Sequence, residues 1–130
     1  MAKTDSVASL KKKAWKLMSE YIRRRDSDWK GFAKCCTCGV EKPWKEQQAG
    51  HFLGGRRNSI LFDTRNIHAQ CAGCNLFKQG NTVKYFRFMQ GRYGDEVIEE
   101  LERLDRIDKQ FTPKELKDLI EDLKIKISKL

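Results

Sequence analysis

The sequence predicts an α+β fold, and three observations support that prediction. Two Cys-x-x-Cys pairs lie in the middle of the chain: Cys35 with Cys38, and Cys71 with Cys74. Short strand-like segments surround them within residues 29–94, and apolar residues recur at helical spacing in residues 1–28 and 95–130. We therefore expect a single domain over residues 1–130, in which a basic N-terminal helix and a C-terminal helical hairpin flank a small strand-containing core.

The two cysteine pairs have the spacing of a structural zinc site. A two-residue spacer lets one turn direct two thiolates at one tetrahedral metal, and a second pair completes four ligands. Gly39 follows the first pair, where a residue without a Cβ relieves the tight turn. Cys36 could replace Cys35 opposite Cys38, but a single intervening residue strains that chelate. Disulfide bonds are the alternative, and the lack of secretory features disfavours them.

Size and hydropathy place the chain among small non-membrane domains. A chain of 130 residues builds only a modest core, so stabilisation by a structural metal ion is physically reasonable. No apolar run approaches the length of a membrane span, and the first residues lack the features of a signal peptide. We expect the protein to stay in the cytoplasm, with no membrane partner.

The charge of the chain is uneven. The net charge is +9, yet residues 1–94 hold 19 Lys and Arg against 7 Asp and Glu, whereas residues 95–130 hold 8 against 11. A basic part of this size predicts a polyanionic partner whose affinity falls as salt is added. Charge alone does not distinguish DNA from RNA.

The predicted N-terminal helix runs from Ser6 to about Arg25. Its apolar residues recur at intervals of three and four along one face: Val7, Leu10, Ala14, Leu17, Met18, Tyr21 and Ile22. Its other faces are basic and carry Lys11, Lys12, Lys13, Lys16 and Arg23 to Arg25. Such a face is either simply solvated or in contact with phosphates.

The core is predicted to start with a hairpin. We expect strands over residues 32–35 and 47–52, with a turn at Lys42-Pro43 and His51 near the end of the second strand. Residues 53–59 follow as a glycine-containing loop, in which Arg56 and Arg57 could approach a phosphate backbone. A plain surface loop is the alternative.

Helices dominate the rest of the chain. A helix is expected after Cys71 through Lys78, and Gly80-Asn81 should end it before another. Hairpin, loop, short strand and helix around one zinc describe a treble-clef arrangement. The aromatic residues near this point are assigned to packing: Tyr85, Phe86, Phe88 and Tyr93.

The C-terminal part carries signals for two helices, one from Asp95 to about Asp108 and one after Thr112-Pro113-Lys114-Glu115, an N-cap followed by proline and glutamate. We expect the two to form a hairpin that covers the core or a partner subunit. Their acidic outer faces argue against nucleic-acid contact.

Both histidines of the chain, His51 and His68, lie between the two cysteine pairs in the sequence. The first pair of cysteines is followed by His51 and Asn66, and the second pair by Asn75. This order resembles the HNH, or ββα-metal, nucleases, whose third motif residue is often Asn. The alternative is that both histidines only pack or cap a loop.

The HNH resemblance implies a role for each of these residues. Phosphodiester hydrolysis needs an activated water, charge neutralisation and help for the leaving oxygen. His51 is the expected general base, with its ring held by a carbonyl or amide contact, and Asn66 is expected to brace the loop opposite it. Asn75 is the expected ligand of a catalytic Mg²⁺ or Mn²⁺, because a carbonyl oxygen suits a hard cation.

One position departs from the HNH pattern. Many of these enzymes carry Asp or His immediately before the base as a metal ligand, whereas this chain has Gly50. Asp63 or His68 could supply the missing ligand, or His51 could be the ligand and His68 the base. The expected DNA contacts are the basic residues around the site: Lys11, Lys12, Lys13, Arg56, Arg57, Arg65 and Lys78.

A longer motif string is similar to the phage NinG (Rap) recombination proteins. It comprises Leu10 to Trp15, Gln48 to Phe52, Leu61 to Asp63, Arg65 to His68, Gln70-Cys71, Cys74-Asn75, Gly80-Asn81 and Arg92 to Gly94, within residues 8–125. The resemblance implies a metal-dependent endonuclease that resolves branched DNA, such as Holliday junctions and D-loops, in the cytoplasm of the bacterial host. A homodimer through the C-terminal helices and contacts with other phage recombination proteins are further expectations.

Two other functional classes are compatible with the sequence. One is a noncatalytic zinc module that binds DNA structures, and Gly50 is its best support. The other is an RNA-binding or RNA-cleaving zinc protein, which would require exposed aromatic residues that stack on bases.

Overall fold

The computed structural model describes residues 6–54 and 57–130. Its helices and strands follow one another as α1 Val7–Arg25, β1 Phe32–Lys34, β2 Glu41–Pro43, β3 Gln48–His51, α2 Asn58–Leu61, β4 Ile67–Gln70, α3 Thr82–Arg92, α4 Asp95–Asp105 and α5 Pro113–Ser128. Short 3₁₀ turns cover Trp44–Glu46 and Thr64–Asn66, and a π-helical turn covers Gly73–Phe77. Helices together with small sheets confirm the α+β prediction.

Helix α1 has the boundaries and the buried face expected from its sequence. Ser6 caps its first turn by accepting a hydrogen bond from the backbone N–H of Ser9. Its buried residues lie along one face: Leu10, Ala14, Met18 and Ile22. At its end, Asp26 accepts a hydrogen bond from the N–H of Ala69 at 2.8 Å, and Arg25 donates to the carbonyl of Ile67 at 2.9 Å. These contacts fix the end of α1 to β4.

The strands form two separate antiparallel pairs, so the predicted hairpin between residues 32–35 and 47–52 is wrong. Strand β1 pairs with β2, with Phe32 opposite Pro43, and the expected turn at Lys42-Pro43 is part of β2. Proline has no N–H to donate, but β2 is an edge strand and tolerates it. Strand β3 pairs instead with β4, which places Gly50 opposite His68.

The two C-terminal helices exist as predicted, and Thr112 and Glu115 form a complete capping box at the start of α5. The predicted hairpin between them is wrong, because each helix packs on a different neighbour. Helix α5 packs along α1, where Leu116 and Ile120 share an apolar cluster with Leu10 and Ala14. Helix α4 packs on α2 and α3 instead. The apolar faces of α4 and α5 therefore pack on different parts of the core.

A second apolar cluster lies beneath β3 and joins α2, α3 and α4; its buried members are Phe52, Ile60, Tyr85, Met89, Ile98 and Leu101. Phe88 and Tyr93 pack against it, in agreement with the assignment of these aromatics to packing. Phe86 contacts the ring of Phe52 but keeps 39% of its surface exposed, so packing describes it only in part.

Among the described residues, no helix combines the length and apolar character needed to cross a membrane.

Candidate metal centre and histidine groove

The four cysteines of the two Cys-x-x-Cys pairs converge on one point. The Sγ atoms of Cys35, Cys38, Cys71 and Cys74 all lie within 4.8 Å of one another. The Sγ atoms of Cys38 and Cys71 are 3.7 Å apart, close to the sulfur–sulfur spacing of about 3.8 Å that tetrahedral zinc with 2.3 Å bonds requires. This donor set could hold a zinc ion, as the spacing predicted.

The backbone around the cluster supports metal-binding thiolates. The N–H groups of Cys38 and Cys74 point at the sulfurs of Cys35 and Cys71, each at 3.4 Å. Burial alone would raise the pKa of Cys35, but the Thr37 hydroxyl and nearby backbone N–H groups lower that pKa to about 6. The thiolate is the form that binds a metal.

Cys36 is not a member of the cluster. Its side chain packs against the apolar cluster around Phe52, and burial together with the neighbouring Cys35 raises its pKa. Its backbone N–H donates to the carbonyl of Ala69 at 2.9 Å, which joins the first cysteine turn to β4. The structure thus groups Cys35, and not Cys36, with Cys38.

His51 is the last residue of β3, and two other elements hold its ring. Its Nε2 lies 3.0 Å from the carbonyl oxygen of Leu61, the last residue of α2. The indole of Trp15 on α1 stacks on the imidazole, with ring centroids 4.8 Å apart. Because a carbonyl can only accept, the neutral ring carries its proton on Nε2 and its lone pair on Nδ1. The expected carbonyl contact is therefore present.

A groove of about 670 Å³ opens beside His51. Helix α1 contributes Trp15, Ser19 and Arg23 to its lining, which also includes Gln48 and Asn75. Within the part of the chain that the structure describes, no Asp or Glu lines this groove. The described residues that line it supply polar side chains of four kinds: the amides of Gln47, Gln48, Asn75 and Gln79, the hydroxyls of Ser19 and Thr82, the His51 imidazole and the Arg23 guanidinium.

Asn75, the expected metal ligand, lines the same groove as His51. It is part of the π-helical turn Gly73–Phe77, which follows directly on the second cysteine pair. Its Nδ2 donates to Oε1 of Gln48 at 2.7 Å, and this contact leaves its Oδ1 near the backbone of Gly50. The zinc turn and strand β3 together fix the direction of this amide.

Asn66 is fully buried and braces the segment that follows His51. Its Oδ1 accepts from the N–H of Leu53, and its Nδ2 donates to the carbonyl of Leu53, both at 2.9 Å. Its own carbonyl accepts from the N–H of Phe52 at 2.8 Å. Asn66 thus acts on the backbone near the groove and does not line the groove itself.

His68 lies outside the groove. Its buried ring contacts two tyrosine hydroxyls, with Nδ1 3.2 Å from Tyr85 and Nε2 2.7 Å from Tyr93. Burial and, to a smaller extent, the nearby Arg25 guanidinium lower its pKa to about 4. Buried in this way, His68 packs and hydrogen-bonds, and the structure does not bring it to His51 as a base or a metal ligand.

Asp63 and Arg65 also lie away from the groove. Asp63 caps the 3₁₀ turn after it and holds the Arg65 guanidinium at 2.9 Å, while Glu100 lies 3.1 Å from the same group. Asp63 lines a different cavity, beside Phe62. Arg65 is therefore already paired with two carboxylates, and Asp63 is not placed to share a cation with Asn75.

The basic residues expected to contact DNA differ in their surroundings. Lys11 is half-buried and donates to Oδ1 of Asn58 at 2.8 Å, whereas Lys12, Lys13 and Lys78 are exposed. Arg57 approaches Asp105 at 3.7 Å. Arg56 falls outside the described residues.

Comparison with known proteins identifies the family. The family model described as "Bacteriophage Lambda NinG protein" matches residues 2–130. The chain belongs to the NinG family. Protein ninG of Escherichia phage 933W is 36% identical over 94 residues, and those of Escherichia phage lambda and Salmonella phage P22 are each 35% identical over 94 residues.

These matches cover 70% of this chain and 43% of each relative, so the chain spans less than half the length of the curated relatives it matches. No solved structure matches the chain.

Sequence reasoning missed several residues that shape the groove of this NinG-family chain. Trp15, Ser19 and Arg23 recur at intervals of four, which places them on one face of α1. That periodicity was readable, but it does not reveal that this face meets His51. Gln48 and Gln70 belong to the NinG motif string, but their roles could not be read from it, because these depend on how β3 and β4 pair.

Proposed function

We propose that this NinG-family chain is a metal-dependent, HNH-type endonuclease that cuts branched DNA intermediates of phage recombination, such as Holliday junctions and D-loops, in the host cytoplasm. The observation that carries the proposal is the orientation of His51 by the Leu61 carbonyl, at the edge of a groove. Strands β3 and β4 lie between the two cysteine pairs, and the helical turn with Asn75 contains Cys74; this order supports a ββα-metal, treble-clef assignment.

His51 is the proposed general base. With its proton held on Nε2 by Leu61, the neutral ring can accept a proton on Nδ1 from a water molecule. The water oxygen then forms a bond to phosphorus while the bond from phosphorus to the leaving sugar oxygen breaks. Trp15 limits the positions of the ring by stacking on it.

Asn75 is the proposed ligand of the catalytic Mg²⁺ or Mn²⁺, and its donor type fits, because hard cations prefer oxygen ligands. When bound, such an ion neutralises charge on the phosphate that is attacked. Asn75 is held in place for this task by Gln48. Arg23, which also lines the groove, adds a positive charge that attracts the DNA backbone.

The first part of the chain would provide most of the DNA affinity. Its excess of Lys and Arg continues on the exposed side of α1 at Lys12 and Lys13, and Lys12 lies in a small cavity next to Trp15. A homodimer that cuts opposed strands stays part of this proposal. Helix α5 packs its apolar face on α1, so a dimer contact would use other surfaces of the C-terminal helices.

The test is cleavage of a labelled four-way DNA junction, compared with a linear duplex of the same sequence, in Mg²⁺ or Mn²⁺ and in EDTA. We expect junction cleavage that requires the metal, with little cutting of the duplex. Equal cutting of both substrates would remove the preference for branched DNA, and no cutting of either in any metal would contradict the nuclease proposal.

A second candidate is a noncatalytic zinc protein that binds branched DNA. The groove favours it in one respect, since among the described residues no carboxylate lines the wall beside His51. Tight junction binding without cleavage would select it. The RNA alternative depends on exposed aromatic residues that stack on bases. Tyr85 is 1% exposed, and Phe88 and Tyr93 pack against the apolar cluster, whereas Phe86 keeps 39% of its surface exposed.

A further inference from the structure

The side chain of Gln70 on β4 is fully buried, and only one end of its amide is used. Its Nε2 donates to the carbonyl of Gly80 at 2.8 Å and to the Thr37 hydroxyl at 3.2 Å. Its Oε1 is buried without a hydrogen-bond partner among the described residues. Because the Gly80 carbonyl can only accept, these contacts fix the oxygen on the opposite side. A buried, unpaired amide oxygen costs free energy unless a ligand completes it.

The unpaired oxygen points at Gly50, the residue before His51. A Cβ atom added to Gly50 would lie 2.0 Å from Oε1 of Gln70 and 3.1 Å from Oδ1 of Asn75. A larger residue at position 50 would therefore require the Gln70 side chain to move. The amide oxygens of Gln70 and Asn75 thus both lie close to Gly50, next to the proposed base His51.

We propose that Gln70 and Asn75 together form an oxygen site for a divalent cation beside His51. The inference rests on the proposed nuclease function and names the second protein ligand of its metal. Gln70 supplies, from the neighbouring strand, the oxygen that a side chain at position 50 would otherwise have to supply. Carbonyl-type oxygens suit Mg²⁺ and Mn²⁺.

The charge of the site determines how it binds. Both ligands are neutral, so phosphate oxygens of the DNA have to provide the negative charge that completes the coordination. We therefore expect weak cation binding by the free protein and stronger binding when a junction is present. Gln70 also joins the site to the zinc cluster, because Thr37 lies 3.3 Å from Sγ of Cys35. The site should exist only in the zinc-loaded protein.

The test measures Mn²⁺ binding to the zinc-loaded full chain by electron paramagnetic resonance, with and without an uncleaved junction. Gln70→Met keeps the length of the side chain but has no oxygen, and it should weaken Mn²⁺ binding by about ten- to a hundredfold. Asn75→Asp adds a negative charge and should strengthen binding. Gln47→Met is the matched control, because Gln47 is also buried with an unpaired Oε1, yet the atoms nearest to Gly50 belong to Gln70 and Asn75.

Wild-type binding by Gln70→Met, or an equal loss in Gln47→Met, would overturn the inference, as would an absence of Mn²⁺ binding by the wild type. If Gln70→Met loses zinc and does not fold, Asn75→Asp decides, since unchanged Mn²⁺ affinity there also overturns the site. A Gln70-dependent Mn²⁺ site in a protein that cuts no DNA would uphold the site and refute the nuclease. Metal-dependent cleavage with Mn²⁺ affinity unchanged by Gln70→Met would uphold the nuclease and refute the site.

Discussion

The indole of Trp15 lies almost parallel to the imidazole of His51, with 20° between the ring planes and 4.8 Å between their centroids. Three elements meet in this contact, because Trp15 belongs to α1, His51 ends β3, and Leu61 of α2 accepts from the other edge of the imidazole. The ring is therefore held on a face and on an edge before any DNA binds, which is the preorganisation that a general base needs.

Trp15→Ala should slow DNA cleavage while leaving the fold intact. An aromatic pair contributes about 0.5–1.5 kcal/mol, which corresponds to a loss of roughly twofold to twelvefold in rate if the stack orients His51. The measurement is the single-turnover cleavage rate of a four-way junction. Trp29→Ala is the control, because Trp29 is 90% exposed and does not line the groove. The same rate in both variants would show that the stack does not matter.

Removing the thiol of Cys74, which belongs to the zinc cluster, should unfold the core, whereas removing the thiol of Cys36, which lies outside the cluster, should not. Cys74→Ser deletes a ligand, and the binding energy of structural zinc is also folding energy, so we expect lost zinc and lost near-ultraviolet circular dichroism. Cys36→Ser should retain one zinc per chain, since Cys36 lies outside the cluster. Zinc analysis of the two purified variants checks both expectations, and a Cys74→Ser protein that keeps its zinc and its fold would refute the structural role.

The zinc cluster and the capping box show which features the sequence could predict. Both depend on local spacing, as in the Cys35 to Cys38 turn and the Thr112 to Glu115 box, so no knowledge of the tertiary fold was needed. Strand pairing was predicted incorrectly because it is a non-local choice. Strand β3 could not be recognised as the partner of β4 from its own residues, and α5 could not be recognised as the partner of α1.

His68 should make the stability of the protein depend on pH. Its folded pKa of about 4 lies below the ordinary value of 6.5, so between these values the unfolded chain binds a proton that the folded chain does not. The free energy of unfolding should therefore fall as the pH drops through this window, by up to about 3 kcal/mol. Urea unfolding of the zinc-loaded protein from pH 7.5 to 4.5 measures this slope.

His68→Gln is the comparison for that experiment, because an amide does not titrate in this range. Its free energy of unfolding should change less with pH than that of the wild type, while the two curves run parallel above pH 7. Zinc thiolates respond to acid in both proteins, so only the difference between the curves reports on His68. Identical slopes would contradict the buried, neutral state of the ring.

The exposed lysines of α1 should set the salt dependence of DNA binding. Replacing Lys12, Lys13 and Lys16 by Ala should reduce the slope of log Kd against log salt by roughly one for each lysine that contacts a phosphate. The control replaces three lysines of α5 that pair with carboxylates of their own helix: Lys114, Lys124 and Lys126. Titrations of a fluorescent junction at several salt concentrations compare the two triple variants. Equal slopes would exclude the α1 face as the DNA surface.

The candidate site was predictable only where a motif names its residues. His51 was predicted from its position between the cysteine pairs and Asn75 from its position directly after Cys74, and the structure places both in one groove. The choice between His51 and His68 was not readable, because all four residues of β4 are buried and no alternation marks a solvent face. Trp15 and Gln70 enter through packing of α1 on β3 and of β4 beside Gly50, which sequence spacing does not encode.

The most direct test of the account compares wild type with His51→Ala in single-turnover cleavage of a pre-bound four-way junction in Mg²⁺ or Mn²⁺. We expect the variant to keep its zinc and its junction affinity while cleavage falls by about a hundredfold or more, as removal of a general base predicts. Cleavage at the wild-type rate by the zinc-loaded variant would contradict the role of His51. Tight binding without cleavage by either protein would contradict the nuclease itself.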